Sequence, residues 1–199
     1  ALIVKHDTMT NSPDFEIKSK GPISEEFIDR NIATFKNATL FVRKLPYRRN
    51  TNKNDLTTLF ADNCGTCSTK HALLKKLADE NKFDEVKLII GLFRMNKTNT
   101  PKISTTLKQY NLEYIPEAHC YLKYKGLILD LTTLNSKPSD FLNDLIEEIE
   151  ILPHQITDYK INYHKNHLTS WLDTNKQLNY TLNEIWKIRE QCIQDLAGV

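Results

Sequence analysis

Glycine and proline are scarce in this chain, five and seven among 199 residues, where globular proteins average roughly 12% for the two together. That scarcity excludes collagen-like, low-complexity and linker-rich chains. An excess of either charge is missing as well. Lysine and arginine number 27, aspartate and glutamate 25, for a net charge of +2. Polyanion binders concentrate a basic excess, so nucleic acid is not an expected partner. No apolar run approaches the roughly 18–20 residues that span a bilayer, so no membrane partner is expected. The opening Ala1-Leu2-Ile3-Val4 meets charge at Lys5 and is too short for the apolar region of a signal peptide. Cysteine is sparse too. Cys64, Cys67, Cys120 and Cys192 are too few for a disulfide scaffold, and a cytoplasmic location follows as the expectation. What is present is core-forming material, 40% hydrophobic residues and 9% aromatic. That suffices for a single domain over residues 1–199.

Residues 1–23 read as a polar, loosely ordered lead-in that ends at Gly21-Pro22. Ser24 is placed to cap a helix with Glu25 and Glu26 in its first turn. Phe27, Ile28, Ile32 and Phe35 follow at helical spacing. Period alone does not separate helix from strand for the short apolar segment 40–42. Residues 47–54, with Tyr47, Arg48 and Arg49, read as an exposed loop, the alternative for these three being a cleft that binds a carboxylate, and a short helix is expected over 55–60. An amphipathic helix is predicted from Cys67 to about Asn81, with Leu73, Leu74, Leu77 and Ala78 on its apolar side. The run 86–93 suits a buried central strand. Pro101 opens a short helix, and two strands, 118–124 and 127–131, flank Lys125-Gly126. Residues 138–199 read as a helical extension. In it Phe141, Leu142, Leu145, Ile146 and Ile149 form one stripe, and Thr181 with Glu184 forms a capping box. The order predicts an α+β fold, helices packed on a small and mostly antiparallel sheet.

The chemistry concentrates at Asn63-Cys64-Gly65-Thr66-Cys67-Ser68. Cys67 sits where loop becomes helix, and the unpaired N–H groups and dipole there favour the thiolate, the nucleophilic form of cysteine. A two-residue turn at Lys125-Gly126 pairs Tyr124 with Leu127 and puts His119, Tyr121, Lys123, Ile128, Asp130 and Thr132 on one face. Cys120, Leu122, Tyr124, Leu127, Leu129 and Leu131 take the other, apolar face, which assigns Cys120 to the core. His119 and Asp130 become diagonal neighbours, roughly 7–8 Å apart at Cβ. A carboxylate that fixes a histidine, which in turn deprotonates a thiol, is the general logic of a catalytic triad.

These residues resemble the transglutaminase-like branch of the papain-like cysteine-enzyme superfamily, within a little-characterised and mostly bacterial set. The matching pieces are Gly65-x-Cys67 opening a helix with Ala72-Leu73-Leu74, Glu117-Ala118-His119 opening a strand, Gly126, and Leu129-Asp130-Leu131-Thr132 on the next strand. The match spans residues 45–133. The resemblance implies a Cys67 nucleophile, a His119 base and an orienting Asp130. It implies a core helix packed against an antiparallel sheet. Two positions depart from the family pattern. Ser68 stands where an aromatic residue is common, and His71 stands where a small residue is usual. The departures leave open a protease, an amidase, another acyl transferase and a protein that has lost its chemistry.

The expected activity is a thiol-dependent hydrolase or acyl transferase acting on a peptide, protein or small amide, with no metal or organic cofactor. The Cys67 N–H meets the oxyanion, with Asn63 as a weak candidate for a second donor. His71, one turn beyond Cys67, is a rival base or, more simply, a packed helix histidine. Lys70 is expected to snorkel from the apolar stripe to water, and Glu117 to cap the strand entrance. Cys192 falls on a helix stripe and is assigned to the core. Three other classes remain open. Cys64-Gly65-Thr66-Cys67 is a C-x-x-C pattern compatible with a thiol-disulfide oxidoreductase. Cys64, Cys67, His71 and His119 make a possible zinc set. An inactive binding module on the same scaffold is the third.

Overall fold

The computed structural model describes residues 12–198. Four helices come first: α1 (Pro22–Asp29), α2 (Phe35–Lys44), α3 (Thr58–Asp62) and α4 (Cys67–Glu80). Then follow β1 (Val86–Asn96), α5 (Ser104–Gln109), β2 (Tyr114–Tyr124), β3 (Leu127–Leu129) and β4 (Leu145–Ile151). Two long helices, α6 (Asp158–Thr174) and α7 (Leu182–Ala197), complete the chain. The strands form one antiparallel sheet in the order β3-β2-β1-β4. The α+β class expected from the sequence is what the chain adopts.

The alternation of side chains along β1 and β2 separates two cores. Leu88, Ile90 and Leu92 of β1 join Ala118, Cys120 and Leu122 of β2 against α4. Ile89, Phe93 and Met95 join Ile115 and Tyr121 on the opposite face, under α6 and α7. Both faces of β1 are therefore covered, which is why its sequence is a nearly unbroken apolar run rather than an alternating one. The hairpin adopts the expected register, with Tyr124 opposite Leu127 and Leu122 opposite Leu129. Lys125 and Gly126 supply the positive φ values, 47° and 81°, that a tight two-residue turn requires. β3 ends at Leu129, two residues earlier than its apolar pattern suggests. Its backbone then leaves the ladder, which frees Asp130.

Four sequence expectations need correction. The stripe from Phe141 to Ile149 is not a helix. Residues 145–151 form β4, which pairs Ile149 with Ile90 and Ile151 with Leu88. Leu145 and Ile149 are spaced to suit a helix, but with Ile151 they also fit a strand, and the open edge of β1 decides between them. Glu147, Glu148 and Glu150 give this edge strand charge, which discourages pairing with another chain. The extension 138–199 thus contributes a strand as well as helices. Phe35 does not continue α1. Asn31 takes a left-handed φ of 59° beyond α1, and Phe35 opens α2 after Thr34 caps it.

The lead-in is also more ordered than its composition suggests. Residues 1–11 lie outside the described residues. Beyond them, Ile17 is buried and its N–H donates to Ala33 O at 2.8 Å, while Phe15 stacks on Phe35 at 4.8 Å. Finally, Ser24 is not a cap. Gly21 holds that position with Pro22 at the first turn. The carboxylate of Glu80, at the far end of α4, accepts from Ile23 N (3.1 Å), Ser24 N (2.7 Å) and Ser24 Oγ (2.6 Å). A cap supplied from another helix ties α1 to α4. Glu80→Ala should therefore lower unfolding free energy by about 1–3 kcal/mol, read as a shift of the urea midpoint with an unchanged slope.

Candidate active site

Two threonines fix where α4 begins. Thr69 Oγ1 accepts from Thr66 N at 2.9 Å, and Thr66 Oγ1 accepts from Thr69 N, a reciprocal capping arrangement. Cys67 is the first residue of this 14-residue helix. The preceding loop is clamped from the side: Gly65 N donates to Pro46 O at 3.1 Å and Arg48 N donates to Gly65 O at 3.2 Å. Gly65 is needed for this close approach, since a Cβ there would meet Leu59, Lys70 and Thr69 side-chain atoms at 3.0 Å.

β2 presents His119, and the chain leaving β3 returns Asp130 to it. His119 Nε2 lies 2.9 Å from Asp130 Oδ2. The other oxygen, Oδ1, accepts from Thr132 N at 3.1 Å and Thr132 Oγ1 at 2.6 Å, so the carboxylate cannot swing away freely. With Nε2 engaged, Nδ1 is the ring nitrogen left for the thiol. Cys67, His119 and Asp130 line one cavity of about 310 Å³. The structure therefore brings together all three residues selected from the sequence. Phe141, which precedes β4, sets its ring edge-on to His119 at 5.0 Å and Phe93 lies on the same side at 6.2 Å.

The electrostatics favour an ion pair in this line. Hydrogen bonding with Cys120 is the largest influence on the Cys67 thiol. Together with the charges of Lys160 and His119 it overcomes burial and holds the Cys67 pKa well below the usual thiol range. Cys120 shifts the opposite way, pushed up by that hydrogen bond and by burial. Burial alone would lower the pKa of His119, but Asp130 and the Cys67 thiolate raise it to about 10. Asp130 is held well below the carboxylate range by His119, against the effect of burial. Cys120 packs in the core as its strand face predicts, and it also acts on the sulfur beside it.

Both ring nitrogens of His71 are engaged within the fold. Its Nδ1 lies 2.7 Å from Cys67 O and its Nε2 accepts from Leu131 N at 2.8 Å. The Leu131 N–H fixes the neutral tautomer, with the ring proton on Nδ1 donated to Cys67 O. Burial lowers its pKa, in keeping with that tautomer. His71 thus ties the first turn of α4 to the chain carrying Asp130. Lys70 does not snorkel. It is fully buried, and its Nζ donates to Leu45 O at 2.5 Å and Thr132 O at 2.6 Å. Burial brings its pKa down to about 8. Both residues, which the helical period leaves as surface or packing positions, hold the site together.

Glu117 does not cap the strand entrance. It is buried, and Arg189 of α7 donates to both its oxygens, at 2.7 and 2.6 Å. Sequence reasoning also missed Lys160. This first-turn residue of α6 is buried and donates from Nζ to Ser68 Oγ at 2.6 Å. Ser68, noted above as a departure from the family pattern, follows Cys67 directly, so this bond sets the ammonium group of Lys160 next to the start of α4. Tyr47 lines the cavity rather than standing in a solvated loop, while Arg48 is exposed and Arg49 pairs with Glu190 at 2.6 Å. Asn63 is exposed in a left-handed conformation and does not line the cavity. Only the period-2 placement of Glu117 with His119 hinted at its site position, and nothing local marked Lys160 or Arg189.

Cys64 stands apart from this chemistry. Its thiol lies 3.9 Å from Arg49 O and burial raises its pKa. Among the described residues no group of three or more His, Cys, Asp and Glu side chains is arranged to hold a metal ion, so the zinc set is not assembled. No helix among them is long and apolar enough to cross a membrane. Comparison with protein-family profiles, curated proteins and solved structures finds no match for this chain.

Proposed function

We propose that the chain is a thiol-dependent hydrolase or acyl transferase of transglutaminase-like type, acting on an amide or related acyl bond of a peptide, protein or small molecule. The observation that carries this reading is the Asp130–His119 contact of 2.9 Å on the wall of the cavity that Cys67 also lines. The Cys67 thiolate attacks the carbonyl carbon and forms an S–C bond. The Cys67 N–H at the helix start and the Tyr47 phenol, which burial keeps protonated, face the developing oxyanion. His119 gives its proton to the leaving group as the C–N bond breaks, producing an acyl-thioester. Water or an amine then attacks that thioester, His119 takes up its proton, and Cys67 leaves as the thiolate.

Mapped alkylation with iodoacetamide tests the reading. Cys67 is expected to react first and already below neutral pH, because its thiolate persists there. Cys64, Cys120 and Cys192 all have raised pKa values, that of Cys192 reaching about 12 through burial, and should lag. Turnover needs the imidazolium as proton donor, so it should decline as pH rises through about 10. Slow and equal labelling of all four thiols would sink the proposal.

A further inference from the structure

A second cavity, of about 390 Å³, is lined by Arg49 and Lys53 and by residues of α6 and α7, and shares no lining residue with the first. Two side chains join it to the first. Lys160 lines it and donates to Ser68, the residue after Cys67. Arg189 lines it and grips Glu117, which lines the cavity holding Cys67 and His119. Five cations face this space: Arg49, Lys53, Lys160, Lys165 and Arg189. The carboxylates within reach are Glu117 and Glu190, and both are already bound. Arg189 holds Glu117, and Arg49 and Arg189 share Glu190 at 2.6 and 2.8 Å. Burial would lower the pKa of Lys160, but Cys120, Cys67 and Glu117 together raise it and so already support its charge.

Lys53 and Lys165 are left over. Among the described residues neither forms an ion pair with a carboxylate. Lys165 rests over the Trp186 ring at 4.8 Å, and Lys53 is only partly exposed. Burial, then repulsion from Lys160 and Arg49, lowers the pKa of Lys53, so its charge is held at a penalty. A partly desolvated cation without a counter-charge, set in a concave site, is satisfied by an anion from outside the chain. His164, also on this wall, does not add to the positive charge at neutral pH, since burial lowers its pKa to about 4.

We infer that this cavity binds an oxyanion, a carboxylate or phosphate group carried by the substrate, and so sets the polarity of the acyl compound that reaches Cys67. The inference rests on the thiol chemistry proposed above. Phe93, Met95, Phe141, Ile193 and Leu196 make the far wall of the first cavity apolar. The substrate then has an apolar part on the His119 side of the scissile bond and an anionic part on the Lys160 side.

Iodoacetate and iodoacetamide, alike in size but not in charge, separate the two claims. In the unmodified chain at pH 6, iodoacetate is expected to alkylate Cys67 faster relative to iodoacetamide than it alkylates a free thiol. In a Lys53→Gln, Lys165→Gln double variant that ratio should fall roughly five-fold, the effect of two unit charges at partly screened range. Raising salt should lower the ratio in the unmodified chain, which tests the idea without any substitution. Millimolar pyrophosphate or citrate should slow alkylation, and the stronger protector assigns the anion as phosphate or carboxylate. An unchanged ratio, or protection by neither, overturns the anion site while leaving the nucleophile intact. Failure of both reagents to select Cys67 overturns the underlying thiol chemistry instead.

Discussion

His119→Ala slows alkylation of Cys67 at pH 6 by roughly 10- to 100-fold. The arithmetic has two opposing parts. Without the imidazolium the thiol returns toward its ordinary pKa of about 8.5, where only about one molecule in 300 carries a thiolate at pH 6. A less acidic thiol gives a more nucleophilic thiolate, which recovers part of that loss. Cys120, the largest influence on this thiol, and Lys160 both remain beside Cys67 in the variant and limit the drop. Peptide-mapped rates from pH 5 to 9 would show the low-pH limb displaced upward. A profile that coincides with that of the unmodified chain rules out an ion pair.

The same substitution changes the pH dependence of stability. The His119 pKa is raised from 6.5 unfolded to about 10 folded. Its stabilisation is fully present below about pH 6.5 and is lost as pH rises through about 10. Denaturant titrations should therefore show the unmodified chain losing stability over that interval, and the Ala variant losing less. Asp130 acts with the opposite sign. Its folded pKa is depressed, so its contribution is present above its unfolded value and disappears as pH falls.

Arg189→Leu is expected to lower unfolding free energy by about 3–5 kcal/mol. The guanidinium of Arg189 makes two hydrogen bonds to Glu117 and one to Glu190, and the Glu117 side chain is 8% exposed. Removing the arginine leaves a buried carboxylate with no counter-charge. Its pKa, now held below the carboxylate range by Arg189 against the effect of burial, would rise instead. The instability should therefore shrink at acid pH as Glu117 takes up a proton. Adding Glu117→Leu should recover most of the loss, because replacing both partners with apolar groups removes the desolvated charge altogether. A double variant as unstable as the single one would show that Arg189 acts through packing on Trp186, over which its guanidinium sits at 5.1 Å.

Local rules located the start of the cysteine-bearing helix correctly. Thr66, Thr69 and the stripe of Leu73, Leu74 and Leu77 lie within about three turns, and they start α4 at Cys67. The two-residue turn and the alternation around it placed His119 and Asp130 on one face, and the folded chain brings them to 2.9 Å. His71 is the packed helix histidine of the simpler reading, whereas Lys70 was misjudged because helical spacing gives the direction of a side chain and not its depth. Both point toward the chain following Asp130, which packs over this flank of α4 and supplies Leu131 N and Thr132 O as partners.

By itself the sequence determined the cysteine-bearing helix, the hairpin, the buried central strand and the α+β class, since capping, turn chemistry and hydrophobic period act between residues close along the chain. Tertiary structure alone decided that residues 145–151 pair with the edge of β1, that Glu80 caps a helix 56 residues away, and that Lys160 and Arg189 arrive beside Cys67 and Glu117. Those contacts join groups 92 and 72 positions apart in the two charged cases. The partner of a buried charge is set by which loops bring distant surfaces together, and no period in a short window carries that information.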